Sequence, residues 1–140
     1  MSFLLDTNVL SEWVKPQPSA AVARWLAEAD EDGLFLSVVS LAELRRGVER
    51  LAESARRRRL ESWITEELRV RFETRILPVD PEIADAWGRA MARSEAAGAR
   101  MNVMDGFLAA TSEVHKLTLV TRNVSDFEAA GCAVFSPWAE

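Results

Sequence analysis

The chain has 140 residues, a length that suits one domain able to bury its own core without a disulfide or metal staple. Its apolar stretches are too short to span a bilayer, its start lacks the basic and long apolar segments of a secretory signal, and its single cysteine, Cys132, points to a reducing, cytoplasmic setting. The formal charge of −5 argues against a protein that holds nucleic acid by bulk charge alone. The arginines nevertheless crowd into residues 45–75 and include the run Arg56–Arg59, a pattern usually found on a solvated face.

In chain order, Ser2-Phe3-Leu4-Leu5 reads as a buried strand that delivers Asp6 to its end, with a helix starting near Thr7. Pro16-Gln17-Pro18 makes a turn, and Ser19 caps a helix carrying Val22, Trp25, Leu26 and Ala29. Residues 34–39 form a second strand, and Ser40 opens a helix with Leu41, Leu44, Val48 and Leu51 on one face. Past the arginine run, Leu60, Ile64, Leu68 and Phe72 recur every four residues along another helix. Residues 76–79 are a third strand. Asp80-Pro81-Glu82 starts a helix with Ile83, Trp87 and Met91, which Gly98 ends. Asn102 begins the next helix, residues 117–121 form a fourth strand, and residues 132–135 form a fifth.

Strands alternate with helices and no hairpin signal joins them. The expected fold class is α/β: one domain over residues 1–140, a three-layer sandwich with a mostly parallel, roughly five-stranded sheet flanked by helices.

Four acids fall at element junctions: Asp6, Glu43, Asp105 and Asp126. Each has a structural explanation by itself. Asp6 can cap the helix at Thr7, Ser40-x-x-Glu43 and Asn102-x-x-Asp105 match capping boxes, and Asp126 can fix a turn after Val124. Asp6 and Thr121-Arg122-Asn123 both follow apolar strands, however, and parallel strands end on one edge of the sheet. Carboxylates meeting there repel one another without a cation. Oxygen ligands suit Mg²⁺ or Mn²⁺. His115, the only histidine, reads as a helix-end residue, which excludes a Ser-His-Asp mechanism. An acid cluster of this kind points to metal-assisted phosphoryl chemistry.

Four segments resemble PIN-domain toxins of the VapC type, nearest the FitB-like branch. They are Leu4-Leu5-Asp6-Thr7-Asn8-Val9-Leu10-Ser11-Glu12, Val39-Ser40-Leu41-Ala42-Glu43-Leu44-Arg45-Arg46-Gly47, Asp105-Gly106-Phe107-Leu108-Ala109-Ala110-Thr111 and Thr121-Arg122-Asn123-Val124-Ser125-Asp126-Phe127. The ending Val134-Phe135-Ser136-Pro137-Trp138 also looks like that branch. The resemblance implies a magnesium-dependent ribonuclease toxin. It implies Asp6, Asp105 and Glu43 as metal ligands, and Asn123 or Asp126 at the fourth catalytic position. Asn123 is a departure, because some relatives carry Asp there. The resemblance further implies a homodimer silenced by a VapB- or FitA-like antitoxin, which alone contacts operator DNA, with the helical hairpin over residues 40–74 as docking surface.

Rival readings weigh less. A haloacid-dehalogenase-type phosphatase wants an acid where Asn8 stands, and a phosphoreceiver wants an acidic pair at the first strand end. The non-enzymatic alternative is a PIN-like binding module acting through its antitoxin in transcriptional autoregulation.

Overall fold

The computed structural model describes residues 1–138. Five parallel strands form one sheet: β1 (Phe3–Leu5), β2 (Leu34–Ser37), β3 (Ile76–Leu77), β4 (Thr118–Val120) and β5 (Val134–Phe135), in the order β3-β2-β1-β4-β5. Between β1 and β2 lie α1 (Thr7–Glu12) and α2 (Ala20–Glu28). Between β2 and β3 lie α3 (Val38–Glu49), α4 (Ala55–Ser62), a π-helical stretch over Trp63–Leu68 and the short α5 (Arg69–Arg71). Then α6 (Pro81–Ala96) and α7 (Val103–Val114) lead to β4, and α8 (Val124–Ala129) leads to β5.

The strands are apolar without alternation because both faces are covered. Successive side chains leave a strand on opposite sides. Leu4 and Leu119 enter a core with Ala90, Leu108 and Phe127 from α6, α7 and α8. Leu5 and Val120 enter a second core with Val9, Val22, Leu26, Leu68 and Phe72. The result is three layers, helix–sheet–helix, as expected for the class.

Several boundaries differ from the sequence reading. The second strand stops at Ser37, and Val38 and Val39 already belong to α3. Ser37, not Ser40, caps that helix: its hydroxyl accepts from the Val39 amide at 3.0 Å. The strand ends there because Ser37 is the last β2 residue registered against β3, opposite Leu77. Residues around Asp126 form the short helix α8 where a turn was expected.

The apolar step of four from Leu60 to Phe72 overshoots an α-helical turn by about 40° each time. The wider i→i+5 turn over Trp63–Leu68 takes up the drift. Ile64, Leu68 and Phe72 therefore all stay buried. Arg75 ties the end of this hairpin to the neighbouring layer, donating to the carbonyls of Leu34 (2.7 Å) and Arg71 (2.8 Å).

The order of strands positions the site. From β1 the chain steps outward to β2 and β3, then returns to place β4 on the other flank of β1. The strand order reverses between β1 and β4, and crevices for ligands form beyond the carboxyl ends at such a point.

Candidate active site

Asp6 follows β1 at this reversal and is 4% exposed. Its amide donates to the Val120 carbonyl at 3.0 Å, which ties it to the end of β4. Its Oδ1 accepts from the Thr7 amide at 2.6 Å, so it does cap α1. Its Oδ2 accepts from the Thr121 hydroxyl at 2.8 Å, across 115 residues of sequence. The capping and site readings are thus two ends of one carboxylate. Burial pushes the Asp6 carboxyl above its ordinary value against the opposing effect of the Thr121 and Thr7 bonds, and the Glu43 charge adds to the rise.

Glu43 sits in α3, six residues beyond the end of β2. The capping-box reading fails for it, because the helix begins earlier and the side chain turns elsewhere. Its Oε1 accepts from the Thr7 hydroxyl at 2.9 Å. Thr7 thereby joins the first two acids, with its amide on Asp6 and its hydroxyl on Glu43.

Asp105 reaches the edge from α7, whose N-cap is Asn102. Asn102 Oδ1 accepts from the Asp105 amide at 2.8 Å, and Asn102 Nδ2 donates to Asp105 Oδ2 at 3.2 Å. Asp105 does not close a reciprocal box onto the Asn102 backbone. Burial, then the charges of Asp6, Glu43 and Asp126, push its carboxyl up to about 6. Asp105 thus lies where the charges of the other three acids reach it.

Asn123 precedes α8 and its side chain caps nothing. Its amide donates to the Thr121 hydroxyl at 3.0 Å, so the same hydroxyl accepts from Asn123 and donates to Asp6. Asp126 lies in the first turn of α8 and is exposed. His115 is an exposed helix-end residue, as expected.

The donor set is hard oxygen throughout. Asn8 Oδ1 and Ser40 Oγ, on α1 and α3, are also buried without a hydrogen-bond partner. Among the described residues, no group of three or more His, Cys, Asp and Glu side chains is drawn closely enough to hold an ion by itself. Magnesium commonly takes one or two carboxylates and completes its shell with water and substrate oxygen. The carboxylates of Asp6 and Glu43, tied together through Thr7, fit such an ion.

The PIN domain family matches residues 3–131. The chain belongs to that family. Toxin FitB of Neisseria gonorrhoeae is 37% identical over 135 residues, which cover 96% of this chain and 97% of the relative. The VapC ribonuclease Y4jK of Sinorhizobium fredii is 34% identical over 135 residues, 96% of each chain. The structure of FitAB bound to an IR36 DNA fragment superimposes with a TM-score of 0.93 at 35% identity, covering 99% of this chain and 96% of that one. This PIN domain therefore stands among the VapC and FitB toxins, as the four motifs suggested.

Sequence reasoning missed the two threonines of this PIN domain that orient its acids. Thr7 and Thr121 stood inside the quoted motifs, but only folding shows what they hold. Glu12, at the end of the first motif, has a structural role of its own. It is buried, pairs with Lys15 and accepts from the Ser19 amide at 2.7 Å, which closes the proline turn onto α1. Burial opposes its ionisation, but the bonds from Lys15 and Ser19 outweigh it and hold the carboxyl below its ordinary value. Among the described residues, no helix is long and apolar enough to cross a membrane.

Proposed function

We propose that this PIN domain is a magnesium-dependent endoribonuclease and the toxin of a type II toxin–antitoxin pair. The observation that supports this best is the placement of Asp6 at the strand-order reversal with Glu43 joined to it through Thr7, and Asp105 within reach of their charges. The ribonuclease name of a relative at 34% identity agrees with it. Asp6, Asp105 and Glu43 would hold Mg²⁺, or Mn²⁺ in its place. A bound divalent ion supplies a polarised water and neutralises charge growing on the phosphodiester.

The chain's own residues do the rest. Thr121 and Thr7 hold the carboxylates of Asp6 and Glu43 in place, which would limit their reorganisation at the moment of reaction. Burial and the neighbouring charges push the Asp105 carboxyl up to about 6, and a bound cation would favour its ionised form. Asn123 offers a neutral oxygen and Asp126 an exposed carboxylate at the fourth position.

The FitAB structure is a complex bound to DNA. By analogy, this chain pairs with a small VapB- or FitA-like antitoxin, forms a homodimer, and meets operator DNA only through that antitoxin. The test is cleavage of structured RNA by the purified chain. Cleavage should require Mg²⁺ or Mn²⁺ and vanish in Asp6→Asn and Asp105→Asn chains that still fold. Undiminished activity in excess chelator would refute the metal mechanism.

A further inference from the structure

The four consecutive arginines of α4 do not share one fate. Arg57 is built into the fold: it donates to Glu61 at 2.8 Å and to the Leu51 carbonyl at 2.9 Å, and pairs with Glu49 at 3.1 Å. Arg58 pairs with Glu53 at 3.3 Å. Arg56 and Arg59 are exposed, and neither takes part in an ion pair or side-chain hydrogen bond among the described residues. Residues three apart on a helix are neighbours on one face, so two unneutralised guanidiniums stand together there. Acids lie within the same hairpin at Glu49, Glu53 and Glu61, yet they are spent on the other two arginines.

This face borders the acidic site. A cavity of about 300 Å³ has Thr7, Glu43 and Arg56 over a largely apolar wall that includes Leu44, Leu60 and Trp63. An adjoining cavity of about 720 Å³ is lined by Arg56, Arg59, Trp63 and Glu67. Arg56 and Trp63 belong to both, so the two form one trench running from Glu43 to Arg59.

We propose that this trench carries the single-stranded RNA leading into the acidic site, with Arg56 and Arg59 on backbone phosphates and Trp63 against a base. The proposal rests on the ribonuclease reading and adds to it the residues that position the substrate. Its physical reason is charge. The acids that would hold an ion repel a polyanion, and the whole chain carries −5. Attraction must therefore come from a local patch whose charges are not already cancelled. An aromatic wall beside such a patch is how single strands are held without sequence preference. Glu67 is the one acid lining the outer cavity, and the two free arginines outnumber it.

The experiment measures binding of a labelled single-stranded RNA by fluorescence anisotropy, over a range of KCl, in the Asp105→Asn chain so that turnover does not interfere. Adding Arg56→Ala and Arg59→Ala should weaken binding about tenfold. It should also flatten the slope of log affinity against log salt by about 1.4, the value for two lost single-strand phosphate contacts. The charge-matched pair Arg24→Ala and Lys116→Gln, remote from the trench, should leave the slope unchanged. In the otherwise wild-type chain with Mg²⁺, the loss should fall on KM rather than kcat. Unchanged affinity and slope would overturn the trench, leave the cleft to a protein partner and leave the nuclease reading untouched. A wild-type chain that cleaves nothing while the arginine effect on binding persists would overturn the nuclease reading alone. Thermal melting checks the fold, which these two arginines do not support.

Discussion

Replacing Asp105 with Asn should stabilise the metal-free protein at neutral pH while removing a ligand of the proposed ion. Burial and the charges of Asp6, Glu43 and Asp126 move this carboxyl from 3.8 to about 6. At about 1.36 kcal/mol per tenfold change in proton affinity, keeping it charged costs the fold about 3 kcal/mol. The group is partly exposed, so water and salt screen some of that cost, and a gain of about 1–2 kcal/mol should be measurable. Asparagine preserves the shape and the bond from the residue-105 amide to Asn102 Oδ1.

The native carboxyl binds its proton more tightly than the unfolded one, so the penalty grows as pH rises from about 4 to about 6 and is complete above that. The advantage of the variant should therefore be largest near pH 7.5 and shrink towards pH 4.5, roughly the span over which native and unfolded protonation differ. Urea unfolding followed by tryptophan fluorescence in chelator, at both pH values, measures it. Added Mg²⁺ should then raise the midpoint of the wild type more than that of the variant. A variant no more stable than wild type at neutral pH, or equally favoured at both pH values, would show that burial and the other three acids do not act on Asp105 as described.

Two further changes probe the supports of the site. Thr121→Val keeps the shape but leaves Asp6 Oδ2 and the Asn123 amide without their partner, which should cost about 1–3 kcal/mol in urea unfolding. The loss should be greater at neutral than at mildly acid pH, since the hydroxyl favours the ionised form of Asp6. Gly106→Ala puts a methyl group 2.6 Å from Met91 Sδ and from Trp87 Nε1. That indole already donates to the Val103 carbonyl at 3.1 Å and has little freedom to retreat. Destabilisation of about 1–3 kcal/mol should follow, with a shift in tryptophan emission as α6 and α7 separate. Wild-type melting in this variant would show that the helices are not so closely packed.

Local patterns made much of the fold readable. Leu4-Leu5 before Asp6 and Leu119-Val120 before Thr121 announce strands buried on both faces, and Ser19, Asp80 and Asn102 announce helix starts that the structure retains. These signals concern the nearest turn of backbone, where sterics and capping act without the rest of the chain. The reading failed where two local signals competed. Val38-Val39 look like strand, but Ser37 caps a helix there, and strand pairing with β3 decides between them. At Glu43 the alternative capping-box pattern likewise gave way, here to a bond with Thr7.

The sequence alone determined that carboxylates stand at element ends, because an Asp after a buried apolar run has few other places to be. Only the tertiary structure decided what they touch. Asp6 touches Thr121 because β4 inserts beside β1, and a hydrogen bond spanning 115 residues leaves no trace in local pattern. Asp105 comes from a helix that follows another helix, so its reach depends on how closely α7 packs against α6 at Gly106. Strand order and helix packing are set by summed burial over the whole chain, and that sum is what puts Asp105 within reach of the charges of Asp6, Glu43 and Asp126.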